Sequence, residues 1–287
     1  LISPLCSADG LIGFSDCIFR LHFSMEAITL QHRADARSFE AMHSETDVPG
    51  LNKALTKEDL MRSRNIYNKL PDDLQQPALL DSHIRDLADL FVRNRAHEIF
   101  GIHLVHGHFT IPTNTVLLGT NYSQPRCRWA KTTPIPLVDL DCVHGHIFVL
   151  SDHEFHPYEY QMGRMPDLSQ VGSTFLTELA NYLELNNLTM LVGLQVIEPN
   201  ASPMFELVLP MGTVMVDVTN VNGCVPTRHT GWQFQVINGE SRVCTPYETH
   251  ARHANGHDIF NAGAPHPKLE TFQDVKHALQ QQNILCC

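Results

Sequence analysis

The chain has 287 residues, 43% of them hydrophobic, enough to bury the core of one large domain or two small ones. Its 16 glycines and 17 prolines are too few for a collagen-like or low-complexity chain. With 20 Lys and Arg against 31 Asp and Glu, the net charge is −11. Such a chain repels phosphate backbones and anionic lipid, which argues against nucleic-acid and membrane-surface partners and leaves a small molecule or a protein as partner.

Residues 1–24 carry one Arg and no Lys, so they lack the basic start of a signal peptide. We read them as lying ahead of a native start near Met25, or as a short extra strand. Residues 1–55 together read as a flexible N-terminal extension, and 56–287 as a single domain. Thr56, with an acid three residues on, predicts a helix from there to Leu70, stopped by Pro71. Leu80, Ile84, Leu87 and Phe91 form a helical stripe in a second helix expected over 78–100, with Gly101 placed to end it.

From about Thr115 the period changes from helical to alternating. Strands are predicted at 116–122, 127–131, 143–150 and 155–161, then a helix over 173–184. Further strands are expected at 190–197, 204–209 and 213–219. Asn238-Gly239 between 232–237 and 240–245 predicts a two-residue hairpin. An amphipathic helix closes the chain from Lys268. Strand follows strand with few helices between, so the fold class is α+β: a mostly antiparallel or mixed sheet with a few packed amphipathic helices. The longest apolar run, 191–197, is far too short to span a bilayer.

The eight cysteines show no CxxC spacing, which fits reduced thiols and a cytoplasmic location. Nucleotide-binding glycine loops, the GxSxG elbow and the HExxH helix are all missing. Histidine is the unusual feature, at 18 residues. His106 and His108 share one face of an extended segment, with His103 on the other. His144 and His146 form an HxH pair on a strand, where both rings project to one side and can chelate one metal ion. Asp152, His153, Glu154 and His156 form a third group, of which Glu154 and His156 are the acid–base candidates. His250, His253 and His257 are interrupted by Asn255-Gly256 and read as a surface loop. Cys224, five residues before His229, reads as a buried inert thiol rather than a nucleophile.

The runs Gly101–Phe109, Cys127–Pro134, His144–Leu150, Pro157–Gln161 and Pro226–Trp232 resemble an uncharacterised family of filamentous-fungal intracellular proteins. The resemblance spans most of the chain after residue 80. It implies an intracellular origin and brings no activity, cofactor or site residue with it.

Three functions follow from these residues. The first is a non-catalytic binding protein whose histidines are structural. The second is an enzyme with a mononuclear zinc or non-haem iron site, drawn from His144, His146, His106 and His108, with Glu154 as a further candidate ligand. The third is a metal-free histidine and carboxylate acid–base enzyme built around 152–159. The metal reading requires imidazoles far apart in sequence to meet in the fold.

Overall fold

The computed structural model describes residues 47–287, apart from 199–201, 245–246, 255, 261–266 and 286–287. The expectations for residues 1–46 lie outside these. The strands are β1 (Phe100–Leu104), β2 (Thr115–Ser123), β3 (Arg126–Pro134), β4 (Val143–Ser151), β5 (Glu154–Met162) and β6 (Val192–Val196). They continue as β7 (Met204–Leu209), β8 (Gly212–Asp217), β9 (Val225–Trp232), β10 (Phe234–Ile237), β11 (Glu240–Val243) and β12 (Glu248–Arg252). Ten of them close into a barrel in the order β1-β6-β4-β5-β2-β3-β8-β7-β12-β9. Only β2/β5 and β7/β12 pair in parallel, and the other neighbours are antiparallel.

The mixed α+β character is as expected, but the sheet is a closed barrel and not an open layer. Closure depends on β1, β9 and β12, three strands that pattern reading left unassigned. They complete the ring by pairing Ile102 with Trp232 and Glu248 with Gly231. Closing the ring removes both sheet edges and gives every strand an inside and an outside.

Helices cover the outside. Helix α1 (Lys57–Tyr67) starts at the capping box of Thr56 and Asp59 and lies against β2 and β5. Leu55, Leu60, Val116, Leu118 and Tyr160 share its core. Helix α2 (Asp81–Arg93) and helix α3 (Phe175–Leu185) bury Ile84, Leu87, Phe91, Phe175 and Leu179 with Phe100, Ile102 and Leu194 of the barrel wall. Helix α4 (Phe272–Gln281), capped by Thr271 and Asp274, packs Val275 and Leu279 against Leu207, Val214 and Val216. The predicted hairpin forms: Asn238 and Gly239 both take positive φ, at 55° and 82°, between β10 and β11.

The second helix is shorter than its stripe implied. It stops at Arg93, where the Asn94 amide donates back to the Leu90 carbonyl (3.1 Å) and Arg95 turns left-handed with φ 55°. A 3-10 turn at Ala96–Glu98 then leads into the buried strand β1. Gly101 therefore ends no helix. It sits inside β1, where a Cβ would run into the Trp232 carbonyl oxygen of β9, so glycine allows the last two barrel strands to meet. Phe91 is fully buried, with edge-on contacts at 5.0 Å to both Phe175 and Phe234. Phe91→Ala should therefore cost about 3–5 kcal/mol, read as a lower midpoint in urea denaturation with little change in slope.

Candidate metal centre

Inside the barrel, four side chains from three parts of the chain turn toward one point. His106 and His108 follow the end of β1, Glu206 lies on β7 and His250 on β12. One ligand atom from each lies within 4.8 Å of all the others. His106 Nε2 is 3.0 Å from His250 Nε2 and 3.2 Å from His108 Nε2. The Glu206 carboxylate stands 2.9 Å from His250 Nε2, 3.3 Å from His108 Nε2 and 3.9 Å from His106 Nε2. Among the described residues this is the one set of three or more such groups that converges.

The backbone explains the convergence. In the parallel pairing of β12 with β7, His250 stands opposite Glu206, so both project inward at the same height. His106 and His108 reach across from the β1 end of the ring, with Tyr67 of α1 accepting the His108 backbone N–H at 3.3 Å.

The outward ring nitrogens are fixed as well. His106 Nδ1 donates to the Leu104 carbonyl at 2.7 Å, and His250 Nδ1 donates to Asp73 at 2.8 Å. Each of these two rings therefore turns an Nε2 lone pair inward, the tautomer that a metal ligand needs. Asp73 is itself held in place. Arg228 of β9 donates to its carbonyl and to those of Gln76 (2.9 Å) and Pro77 (2.8 Å), which ties residues 73–77 across this end of the barrel.

Two lone pairs facing one another at 3.0 Å repel unless a proton or a cation lies between them. Burial opposes charge on His250, but its hydrogen bonds to Asp73 and Glu206 prevail and raise its pKa to about 9. Burial also works against the Glu206 carboxylate, yet His108 and His250 outweigh it and hold the carboxyl well below the usual range. Asp73 is lowered in the same way, its burial overcome by His250. His106 is pushed well below its ordinary value by burial and by the neighbouring imidazoles. The metal-free cluster is thus an Asp73–imidazolium–Glu206 sandwich beside neutral His106. Metal bonds of about 2.0–2.2 Å place neighbouring ligand atoms about 2.9–3.4 Å apart; the closest pairs here, at 2.9 to 3.3 Å, match that, while the set as a whole lies within 4.8 Å, so a bound ion would draw the outer ligands in. Three imidazoles and a carboxylate can hold a first-row metal ion.

The candidates read from sequence divide. His106 and His108 belong to this cluster. His144 and His146 also face the barrel interior, but at the opposite mouth, where they line a cavity. There His144 Nδ1 donates to the Gly145 carbonyl at 2.8 Å, and His146 Nε2 lies 3.4 Å from the Gln195 amide. Glu154 is exposed and only 4.0 Å from His156 at the start of β5. Neither is among the converging ligands, and burial together with Arg62 lowers the pKa of His156. The expected surface loop at His250 is instead a buried strand, with His257 stacked on the His250 ring at 4.4 Å. Cys224 is half-buried, and burial pushes its thiol up to about 11, which keeps it un-ionised.

From sequence, Glu206 has no assigned role, and His250 reads as part of a surface loop rather than of a ligand set. A signal existed for the first of them: Glu206 is the only charge in the otherwise apolar run Met204–Leu209, where a buried strand tolerates a carboxylate only if it is paired. No family model, curated protein or solved structure matches this chain.

Because an incoming metal ion must displace the His250 proton, binding at about pH 7.5 should release about one proton per ion. Calorimetric titration in buffers of different ionisation enthalpy measures this, and affinity should fall as pH is lowered. Asp73→Asn removes the acceptor that orients His250, and should weaken metal binding about 10–100-fold in the same titration.

Proposed function

We propose that this chain is a metal-dependent enzyme with a mononuclear centre held by His106, His108, Glu206 and His250. The observation that carries the reading is the inward aim of three imidazole Nε2 atoms and one carboxylate on a shared point, with the outer nitrogens of His106 and His250 already bonded. A ligand set rich in imidazole suits zinc or non-haem iron. Four protein ligands complete a tetrahedral zinc ion, whereas a six-coordinate iron(II) ion keeps two positions for water or substrate. A bound ion would supply Lewis-acid or redox chemistry at those positions.

The chain's own part is orientation and proton handling. Leu104 and Asp73 set the ring planes of two ligands. His103 stacks on His106 at 5.1 Å, and its Nε2 lies 3.1 Å from a Glu248 oxygen without the alignment of a hydrogen bond. Gln195 donates to the other Glu248 oxygen at 2.8 Å. These buried groups beside the ligands keep unused hydrogen-bonding capacity for water or for a reacting molecule.

One observation favours a second reading, a binding protein without catalysis. The Asp73–His250–Glu206 sandwich sets opposite charges within ion-pair distance without metal, at 2.8 and 2.9 Å, and so can serve as a structural ion network. The four free cysteines among the described residues support a reducing, cytoplasmic setting. No helix among those residues is long and apolar enough to cross a membrane.

Elemental analysis of untagged protein tests the proposal. The expected result is on the order of one zinc or iron ion per chain, lost in His106→Ala/His250→Ala and retained in His144→Ala/His146→Ala. Metal-free protein whose melting temperature ignores both chelator and added ion would leave the structural network as the function of the cluster.

A further inference from the structure

The barrel has two ends, and the strand directions separate them. Residues 73–77, tied down by Arg228, lie across the end beside the histidine cluster. At the other end, where β2, β5, β6 and β8 finish, a cavity of about 760 Å³ opens into the ring. That volume suits a small organic molecule.

The inner part of the cavity is built from buried groups. Arg128 and Gln161 are each only 5% exposed. Arg128 Nε donates to Gln161 Oε1 at 2.7 Å, and one terminal nitrogen donates to Glu159 at 3.0 Å. Among the described residues, its other terminal nitrogen meets only the Met215 sulfur, at 4.0 Å. Among the described residues, the Gln161 amide nitrogen has no partner. Gly119 makes room for this pair, since a Cβ there would collide with both side chains. Buried donors from a guanidinium and an amide, left without an oxygen, are costly unless a ligand or water satisfies them. The walls around them, Met204, Met215 and Tyr122, are largely apolar.

Strand register relates the cavity wall to the proposed metal ligands. Met215 stands in register between Arg128 on β3 and Glu206 on β7, and Met204 precedes Glu206 by two residues on the same strand face. The remaining charges at the mouth are mixed. Arg126 pairs with Glu198 at 3.8 Å, the Asp167 carboxylate accepts from the Ser169 backbone N–H, and Arg164 and Glu98 also line the cavity. The rim therefore sets no strong preference for ligand charge, and recognition falls to the donors inside.

We infer that this mouth is the substrate entrance of the proposed enzyme. It takes a small molecule with an apolar body and an oxygen acceptor, a carboxylate or a carbonyl, which Arg128 and Gln161 bind while the rest points toward Glu206. The inference rests on the metal reading for its catalytic meaning, but binding itself can be measured without metal.

The experiment uses the full chain, as purified and after chelation, with phenylacetate, phenylacetamide and ethylbenzene as probes in ligand-observed NMR. The expected result is binding of the two oxygen-bearing probes at least tenfold tighter than ethylbenzene, in both metal states. The acid-to-amide ratio then identifies which acceptor the site prefers. Arg128→Gln/Glu159→Gln removes the buried pair together, so no lone charge is left inside, and should abolish the tenfold preference. Met204→Trp fills the cavity from a different wall and should abolish binding of every probe, with circular dichroism confirming the fold of each variant. Equal binding of ethylbenzene, failure of all three probes, or binding unchanged in folded Met204→Trp protein would overturn the inference. Probe binding in a protein that takes up no metal would sink the metal reading and leave this site standing; metal uptake without probe binding would do the reverse.

Discussion

His250 is held between two carboxylates inside a closed barrel, and much of the interior follows from that contact. Its Nδ1 is committed to Asp73 at 2.8 Å, so its Nε2 must face Glu206 at 2.9 Å and His106 at 3.0 Å. An imidazole in that position carries either a second proton or a metal ion, because no arrangement of neutral lone pairs is tolerable there. Burial raises the stakes: none of the four groups has enough water around it to screen a mismatch. The parallel β7/β12 pairing, the strap at 73–77 and the Arg228 clamp all serve to hold this one ring between its partners.

The barrel separates two kinds of interior. Toward the strap, Tyr67, Val105, Ile111, Leu117, Ile147 and Val149 form an apolar cluster that excludes water from one side of the histidines. Toward the open mouth a line of polar groups runs through Glu248, Gln195 and His146 to Arg128 and Gln161, which are flanked by Met204 and Met215. A dry wall behind the ligands and a polar approach in front of them suit an ion that meets a molecule arriving from one direction. Apart from Tyr67 of α1, which holds the His108 backbone, the outer helices take no part in this chemistry. They bury the outward faces of the strands and so leave the inward faces free to be polar.

Local features were legible from sequence where they depend on neighbouring residues. The Thr56 capping box, the Asn238-Gly239 hairpin and β7 at Met204–Leu209 all form where the pattern placed them. Where the pattern misled, a distant partner decided. Gly101 reads as a helix terminator, yet its role is to approach the Trp232 carbonyl from a strand remote in sequence. His250 reads as part of a loop because Asn255-Gly256 follows closely, yet pairing with Glu206 pulls it into the barrel wall. His144 and His146 have chelating spacing, but spacing along one strand supplies two rings and no third ligand.

By itself the sequence determined that the chain is acidic and mixed in secondary structure, that helices begin at Thr56, follow the Leu80–Phe91 stripe and close the chain after about Lys268, and that histidine is its unusual resource. Those properties come from composition, hydrogen bonds a few residues apart and the period of the hydrophobic pattern. Only the tertiary structure decided that the sheet closes on itself, and which of the histidines share a point. Ring closure is set by pairing between strands far apart in the chain, and the meeting of His106, His108, Glu206 and His250 is a consequence of that register.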